Sequence, residues 1–140
     1  MMNMISNNRQ HKAEGWRAVR YPNTFDDDAL PRGLANEYIS CPDIRDPHAF
    51  AARIAGDSMA PKYAVGDVVV FSPNAPVANG DDCFVRFEDG TTTFKRVYME
   101  TRRKRAVVIL KPRNRKHPAQ EYPRESIAGI FRAVYKYVVV

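Results

Sequence analysis

The amino-acid sequence predicts a mainly β protein in which short, mostly antiparallel strands form one compact domain. The chain has 140 residues, which is enough for one domain with a hydrophobic core and too few for two ordinary ones. It contains 14 valines and three leucines, and β-branched valine fits a pleated strand better than a helix. Short apolar runs also alternate with clusters of turn residues, which is typical of a sheet.

Seven runs carry the predicted strands. Between two of them, Glu88-Asp89-Gly90 predicts a hairpin, because Asp-Gly supplies the positive φ angles that a tight turn needs. The segment 57–63 predicts at most one helical turn, since Pro61 and Gly66 limit its length. In chain order, the predicted strands occupy residues 37–41, 48–55, 67–71, 82–87, 91–98, 106–111 and 127–139.

Residues 1–36 differ from the rest of the chain. They start asparagine-rich, continue with the acidic run 26–28, and contain several breakers without sustained periodicity. The sequence therefore predicts an extended N-terminal arm over 1–36 and a folded domain over 37–140. The chain has neither the roughly 20 consecutive apolar residues of a membrane helix nor a signal peptide. We therefore expect a cytoplasmic protein with no membrane partner.

The two cysteines, Cys41 and Cys83, match no metal-ligand spacing. We therefore expect no metal site, no cofactor and no disulfide framework, and we interpret each cysteine as a small buried hydrophobic residue. The formal net charge of +6 affects solubility and the steering of partners. It does not by itself identify a ligand.

Several short motifs follow one another between residues 56 and 130. Their order along the chain is Gly56-Asp57-Ser58-Met59-x-Pro61, Gly66-Asp67-Val68-Val69-Val70, Asn79-Gly80-Asp81, Thr93-Phe94-Lys95-Arg96-Val97, Leu110-Lys111-Pro112-Arg113-Asn114 and Ile127-Ala128-Gly129-Ile130. A single Gly-x-Ser is weak evidence, whereas several matches in order are specific. Residues 37–135 resemble the LexA/UmuD family of self-cleaving serine peptidases. This resemblance implies the compact LexA-like peptidase fold.

The resemblance implies a catalytic dyad in which Ser58 is the nucleophile and Lys95 is the general base. A serine hydroxyl becomes a good nucleophile when a base removes its proton, and an ammonium group cannot act as that base. Burial favours the neutral amine. The alternation of strand residues places Thr93 on the same face as Lys95, where its hydroxyl is expected to orient the amine.

The turn that carries the serine has three further expected roles. By resemblance to the family, the backbone amides of Asp57 and Ser58 form an oxyanion hole for the charge that develops on the scissile carbonyl. Gly56 gives the backbone room to turn. Met59 is expected to pack behind the serine and shape the turn.

In layout the chain is similar to UmuD, whose short arm is cut by its own dyad and whose trimmed dimer assists a translesion polymerase. The family's Ala-Gly or Cys-Gly scissile bond is absent from residues 1–36. The arm offers Glu14-Gly15 and Arg32-Gly33, each with a charged residue where the family has a small one. We therefore expect a peptidase that cuts its own arm or a cognate protein, in a stress (SOS-like) or phage-related response.

Residues 101–120 form a basic lobe that contains no acidic residue. Its four adjacent cations are candidate phosphate contacts. The segment lacks the interleaved aromatic residues of a single-strand stacking platform, so a solvated loop is favoured over a nucleic-acid site. His117, in the same lobe, is interpreted as a surface side chain. The four adjacent cations are Arg102, Arg103, Lys104 and Arg105.

The C-terminal run 127–140 ends in Tyr137-Val138-Val139-Val140. It predicts an exposed apolar edge, and such edges pair with other strands. We therefore expect a homodimer through this strand. The resemblance implies a recombinase filament, a polymerase or a repressor as a further partner. The alternative function is a catalytically silent dimeric module that docks on a polymerase, a repressor or nucleic acid.

Overall fold

The computed structural model describes residues 16–25, 37–42 and 45–138, with side chains described from residue 45 onward. Within these ranges, the strands in chain order are β1 (Trp16–Phe25), β2 (Glu37–Pro42), β3 (Phe50–Ile54), β4 (Val68–Ser72), β5 (Asp81–Phe87), β6 (Thr92–Arg102), β7 (Arg105–Lys111), β8 (Gln120–Pro123) and β9 (Ile127–Tyr137). They form one sheet in the order β2-β1-β3-β4-β9-β5-β6-β7-β8. β1 and β3 pair in parallel, and the other pairings are antiparallel. The prediction of a mainly β, mostly antiparallel fold is confirmed.

Two strands lie where the sequence pattern indicates none. β1 falls inside the predicted arm and pairs with both β2 and β3. Its pairing with β3 shifts register between Arg20 and Asn23, next to Pro22, which has no amide hydrogen to donate. β8 has four residues, too few for a periodic pattern. The boundary predicted at residue 36 lies outside the described residues, so the division into arm and domain stays a prediction.

β9 connects the two halves of the sheet. Residues 127–132 pair with β5, and residues 132–137 pair with β4. The expectation of an exposed C-terminal edge is therefore wrong for these residues, because β4 and β5 approach β9 from opposite sides. The edges of the described sheet are β2 and β8. Val138 follows β9 with 59% of its surface exposed. Residues 139 and 140 lie outside the described part of the chain. The homodimer predicted through this segment therefore stays a prediction.

Residues 82–85 of β5 and 92–95 of β6 are buried on both faces of the sheet. On one face, Phe84 and Phe94 join an aromatic cluster around Phe71, with ring centroids 5.4 and 5.3 Å from that of Phe71. On the other face, Cys83 and Val97 join a largely aliphatic cluster with residues of β7 and β9. Burial, together with nearby Asp81, raises the pKa of the Cys83 thiol to about 12, as expected for an unreactive core cysteine.

The predicted hairpin between β5 and β6 is present. Gly90 has a φ of +90°, an angle that a side chain would strain. The amide of Phe87 donates to the carbonyl of Thr91 at 2.8 Å, and the amide of Gly90 donates to the carbonyl of Phe87 at 2.9 Å. This turn brings β6 back beside β5 in the register that pairs Cys83 with Lys95.

Candidate active site

Ser58 lies in a tight turn after β3. The amide of Ala60 donates to the Asp57 carbonyl at 3.0 Å, and the amide of Tyr63 donates to the Met59 carbonyl at 3.0 Å. These bonds close about one helical turn, as the sequence predicts. Met59 is 2% exposed and packs in the aromatic cluster, which anchors the turn to the core. Ser58 is itself 2% exposed.

Lys95 lies beside Ser58, although 37 residues separate them in the chain. Its Nζ is 3.1 Å from Ser58 Oγ and 2.9 Å from Thr93 Oγ1. Lys95 is 8% exposed and Thr93 is 6% exposed, and burial disfavours the ammonium form of a lysine. The structure therefore brings together the three side chains that the sequence analysis selected, at distances that allow direct proton transfer between Lys95 and Ser58.

A cleft of about 180 Å³ reaches Lys95 and Thr93. β6 contributes threonine hydroxyls to it, and β8 closes the opposite side. The rings of Phe87 and Tyr122, which both line the cleft, meet edge to face with centroids 4.9 Å apart. The walls thus combine hydroxyls with apolar surface, as ligand-binding clefts commonly do. The lining residues are Phe87, Thr91, Thr92, Thr93, Lys95, Leu110, Gln120 and Tyr122.

A loop at 112–117, which follows β7, packs against the serine turn. The amide of Asn114 donates to the Ser58 carbonyl at 2.9 Å. Asn114 Nδ2 donates to the Asp57 carbonyl at 3.0 Å and lies 3.4 Å from Asp57 Oδ2. His117 Nε2 lies 2.7 Å from Asp57 Oδ1. His117 is partly exposed, in line with its interpretation as a surface side chain, but it also holds the residue that precedes the nucleophile.

A second connection between the turn and this loop runs through Asp82, at the start of β5. Its carboxylate accepts hydrogen bonds from Lys62 Nζ at 2.9 Å, from Tyr63 Oη at 2.8 Å and from Arg113 Nε at 2.8 Å. Burial opposes ionisation of this carboxylate, but the three hydrogen bonds outweigh it and hold the pKa of Asp82 below its ordinary value of 3.8. Burial, and next the bond to Asp82, raises the pKa of Tyr63. The hydrogen bond to Asp82 raises the pKa of Arg113.

Sequence reasoning gave no role to Asp82 or Asn114. A signal was nevertheless present, because Asp82 directly follows Asn79-Gly80-Asp81, and Asn114 ends another of the recognised motifs. Their partners lie 19 to 57 residues away along the chain, and no local pattern connects such positions.

The other predicted site residues lie elsewhere. Arg102 ends β6, ~23 Å along the strand from Lys95 at 3.3 Å per residue, and its guanidinium pairs with Glu100 and Glu121. Arg103 and Lys104 form the hairpin tip, both at positive φ, and Arg105 begins β7. All four cations are exposed. The candidate scissile bonds Glu14-Gly15 and Arg32-Gly33 lie outside the described residues.

Two absences concern the part of the chain that the structure describes. No group of three or more His, Cys, Asp or Glu side chains there is arranged to hold a metal ion. No helix in the same residues has the length and apolar character needed to cross a membrane.

A mostly antiparallel sheet with a buried Ser–Lys pair places the chain in the class of LexA-like peptidase domains. Comparison with known proteins agrees, because the family model described as Peptidase S24-like matches residues 12–133. The chain belongs to this family.

Two curated relatives are phage-type repressors. Over 87 residues the chain is 32% identical to "Prophage repressor CohE" of Escherichia coli strain K12, a match that covers 61% of this chain and 36% of the repressor. Over 63 residues it is 32% identical to "Repressor protein C" of Rhizobium phage 16-3, covering 44% of this chain and 24% of that protein. The matches thus span about a third and a quarter of these relatives.

Proposed function

We propose that the chain is a serine endopeptidase of the LexA/UmuD type that uses Ser58 and Lys95 as its catalytic dyad. It cuts its own arm or a cognate protein in a phage-related or stress response, in the cytoplasm. The observation that carries the proposal is the 3.1 Å contact between Lys95 Nζ and Ser58 Oγ, formed where both side chains are buried. The repressors among the relatives support the phage-related setting.

The reaction has two steps. Neutral Lys95 takes the proton of the Ser58 hydroxyl as Oγ attacks the carbonyl carbon of the scissile bond. The amides of Asp57 and Ser58 stabilise the negative charge on the carbonyl oxygen. As the C–N bond breaks, Lys95 returns the proton to the leaving amine and an acyl-enzyme remains. A water molecule, deprotonated by Lys95, then hydrolyses the ester and restores Ser58.

The Thr93 hydroxyl keeps the lysine amine in place between these steps. It lies 2.9 Å from Nζ and can accept or donate a hydrogen bond as Lys95 changes its protonation state. The neighbouring cleft receives the substrate segment, with its carbonyl directed at Ser58 and its side chains against Phe87 and Tyr122. No cofactor or metal takes part in this mechanism.

The test uses the full-length protein, incubated between about pH 6 and 10, the range that brackets a depressed and an ordinary lysine titration. Mass spectrometry follows the discrete loss of an N-terminal fragment. Cleavage should accelerate with pH and level off once Lys95 is neutral. Ser58→Ala and Lys95→Arg should both be inactive, because a guanidinium stays protonated at these pH values.

Lys111→Arg is the matched control. Lys111 is an exposed lysine whose Nζ lies 4.9 Å from the Tyr98 ring, a contact that arginine preserves. This variant should cleave like the unmodified protein. Near-normal cleavage by folded Lys95→Arg, checked by circular dichroism, would rule out Lys95 as the base. The mass of the fragment identifies the scissile bond, including Glu14-Gly15 or Arg32-Gly33.

The second candidate is a catalytically silent dimeric module, and it is favoured by one observation: the curated relatives carry the names of repressors rather than peptidases. Its partner is a polymerase, a repressor, a recombinase filament or nucleic acid. A chain that stays intact at every pH while folded supports it. Light scattering tests the dimer, which should weaken when residues 138–140 are deleted; a monomer at tens of micromolar, unchanged by the deletion, contradicts dimerisation.

A further inference from the structure

Both carbonyl groups next to the nucleophile are bound by a single residue, Asn114. Its side-chain amide donates to the carbonyl of Asp57, and its backbone amide donates to the carbonyl of Ser58. These carbonyls belong to the two peptide groups that flank Ser58. Because each peptide group is planar, holding the two groups fixes the φ and ψ angles of Ser58 and so the direction of its Cβ.

The same contacts orient the backbone amides of the turn. Both peptide bonds that flank Ser58 are trans, so each N–H points away from the carbonyl of its own peptide group. The Asp57 carbonyl shares its group with the Ser58 amide. Asn114, together with the amide of Ala60 on the same carbonyl, therefore directs the Ser58 N–H away from the loop at 112–117. This amide is one of the two donors of the proposed oxyanion hole.

Asn114 is held in turn by its own loop. Its Oδ1 accepts a hydrogen bond from the Lys116 amide at 3.0 Å, and its carbonyl accepts one from the His117 amide at 3.1 Å. His117 Nε2 reaches back to the Asp57 carboxylate at 2.7 Å. Asn114 is thus held to its own loop through its two oxygen atoms, which accept hydrogen bonds. It is held to the serine turn through its side-chain and backbone N–H groups, which donate them.

We infer that Asn114 is a positioning residue for the peptidase reaction, which orients the Ser58 amide and hydroxyl without touching the substrate; this inference rests on the proposed function. Its side-chain N–H is the essential group. Base strength is set elsewhere, by the burial of Lys95 and its contact with Thr93. Loss of Asn114 therefore lowers the rate of the chemical step without changing the pH at which Lys95 becomes neutral.

The test compares Asn114→Ala and Asn114→Asp with the unmodified full-length protein. Aspartate is nearly isosteric and still accepts the Lys116 amide, but it cannot donate to the Asp57 carbonyl, and it places a second negative charge beside the Asp57 carboxylate. Alanine removes the donor without adding a charge. The first readout is the pH profile of self-cleavage. The second is the rate at which an alkyl fluorophosphonate modifies Ser58, a reaction in which Oγ forms a bond to phosphorus, fluoride leaves and Lys95 takes the hydroxyl proton.

Both variants should lower the plateau rate of cleavage and the rate of modification about 10- to 100-fold. This loss is smaller than the ~100- to 1000-fold that follows removal of a whole oxyanion-hole donor, because the Ala60 amide still holds the Asp57 carbonyl. In Asn114→Ala, which adds no charge, the midpoint of the pH profile should not move. A merely structural loosening would expose Lys95 and shift that midpoint.

Asn79→Ala is the matched control. Asn79 also joins a loop to backbone atoms through its side chain, donating to the Met99 carbonyl at 3.3 Å and accepting from the Met99 amide at 2.8 Å, but it lies outside the site. It should react at nearly the normal rate. Rates within twofold of normal for folded Asn114→Ala, a shifted midpoint in that variant, or an equal loss in Asn79→Ala would each overturn the inference. An unmodified protein that neither cleaves nor reacts with the probe would instead refute the proposed function and the inference with it.

Discussion

Replacing Asp82 with asparagine should destabilise the fold markedly at neutral pH. The carboxylate is 5% exposed and accepts hydrogen bonds from the side chains of Lys62, Tyr63 and Arg113. Asparagine keeps an oxygen acceptor for Tyr63, but it turns an NH₂ group towards one of the cations and removes the charge that both cations face. Arg113 is the more affected of the two, since its side chain is 26% exposed whereas that of Lys62 is 51% exposed.

The expected loss follows from these exposures. Breaking a fully buried ion pair costs about 3–5 kcal/mol, while an exposed pair contributes about 0–1 kcal/mol. Arg113 can regain part of its hydration, so we expect the free energy of unfolding to fall by about 2–3 kcal/mol, between these limits. With a urea dependence of about 1.5 kcal/mol/M, the unfolding midpoint should move down by about 1–2 M.

The loss should also depend on pH. The pKa of Asp82 is depressed below 3.8 in the folded protein, so its carboxylate contributes stability above the unfolded-state value, and this contribution disappears as pH falls through the folded-state value. Below that pH the protonated Asp82 resembles asparagine. The difference between the two proteins should therefore be full at pH 7 and shrink as the pH falls below about 3.8.

Urea unfolding followed by circular dichroism at pH 7 and at pH 3 measures both effects. Glu121→Gln is the matched control, because it removes a carboxylate from an exposed pair with Arg102 and should barely move the midpoint. An Asp82→Asn protein as stable as the unmodified one at pH 7 would refute the reasoning. So would a difference that is equally large at pH 3.

Two further predictions concern other parts of the sheet. Gly129→Ala should lower the melting temperature, because a Cβ there would lie 2.5 Å from the Phe131 ring and such overpacking costs about 1–3 kcal/mol. Ala128→Ser, at the exposed neighbouring residue, should leave the melting temperature unchanged. Calorimetry of both variants tests this prediction. If the β6–β7 hairpin binds DNA, neutralising residues 103–105 should weaken the salt dependence of the binding constant. The slope of its logarithm against the logarithm of the salt concentration should become shallower by about 0.9 per lost phosphate contact. Arg102→Gln should change this slope little, because Arg102 already pairs with Glu100 and Glu121. Fluorescence anisotropy with DNA tests this, and undetectable binding by the unmodified protein at low salt ends the idea.

The sequence predicted most of the fold because the strand signals are local. Valine-rich runs, the Asp89-Gly90 turn and the alternation along β6 each depend on a few adjacent residues. β1 and β8 were not predictable in this way, because one is interrupted at Pro22 and the other is four residues long. The partners of β9 were not predictable either, since strand order depends on contacts between distant segments.

The candidate site shows the same limit. The resemblance placed Ser58 and Lys95 together, and the alternation along β6 placed Thr93 beside Lys95. The support of the turn was missed because it is built from non-local hydrogen bonds: Asn114 to Asp57 spans 57 residues, and Arg113 to Asp82 spans 31. A charged residue such as Arg113 in a basic segment suggests a solvated cation. Only the fold shows that its guanidinium meets a buried carboxylate.

Two adjacent residues of the loop at 112–117 thus connect it to the serine turn in different ways. Arg113 acts through Asp82, whose other partners, Lys62 and Tyr63, lie at the far end of the turn, so breaking this connection should cost mainly stability. Asn114 binds the two peptide groups beside Ser58, so its loss should cost mainly rate. At pH 7 in the absence of urea, Asp82→Asn should therefore retain more of the normal cleavage rate than Asn114→Asp, while Asn114→Asp should retain the higher urea midpoint. The opposite ranking in both assays would show that the two connections do not act separately.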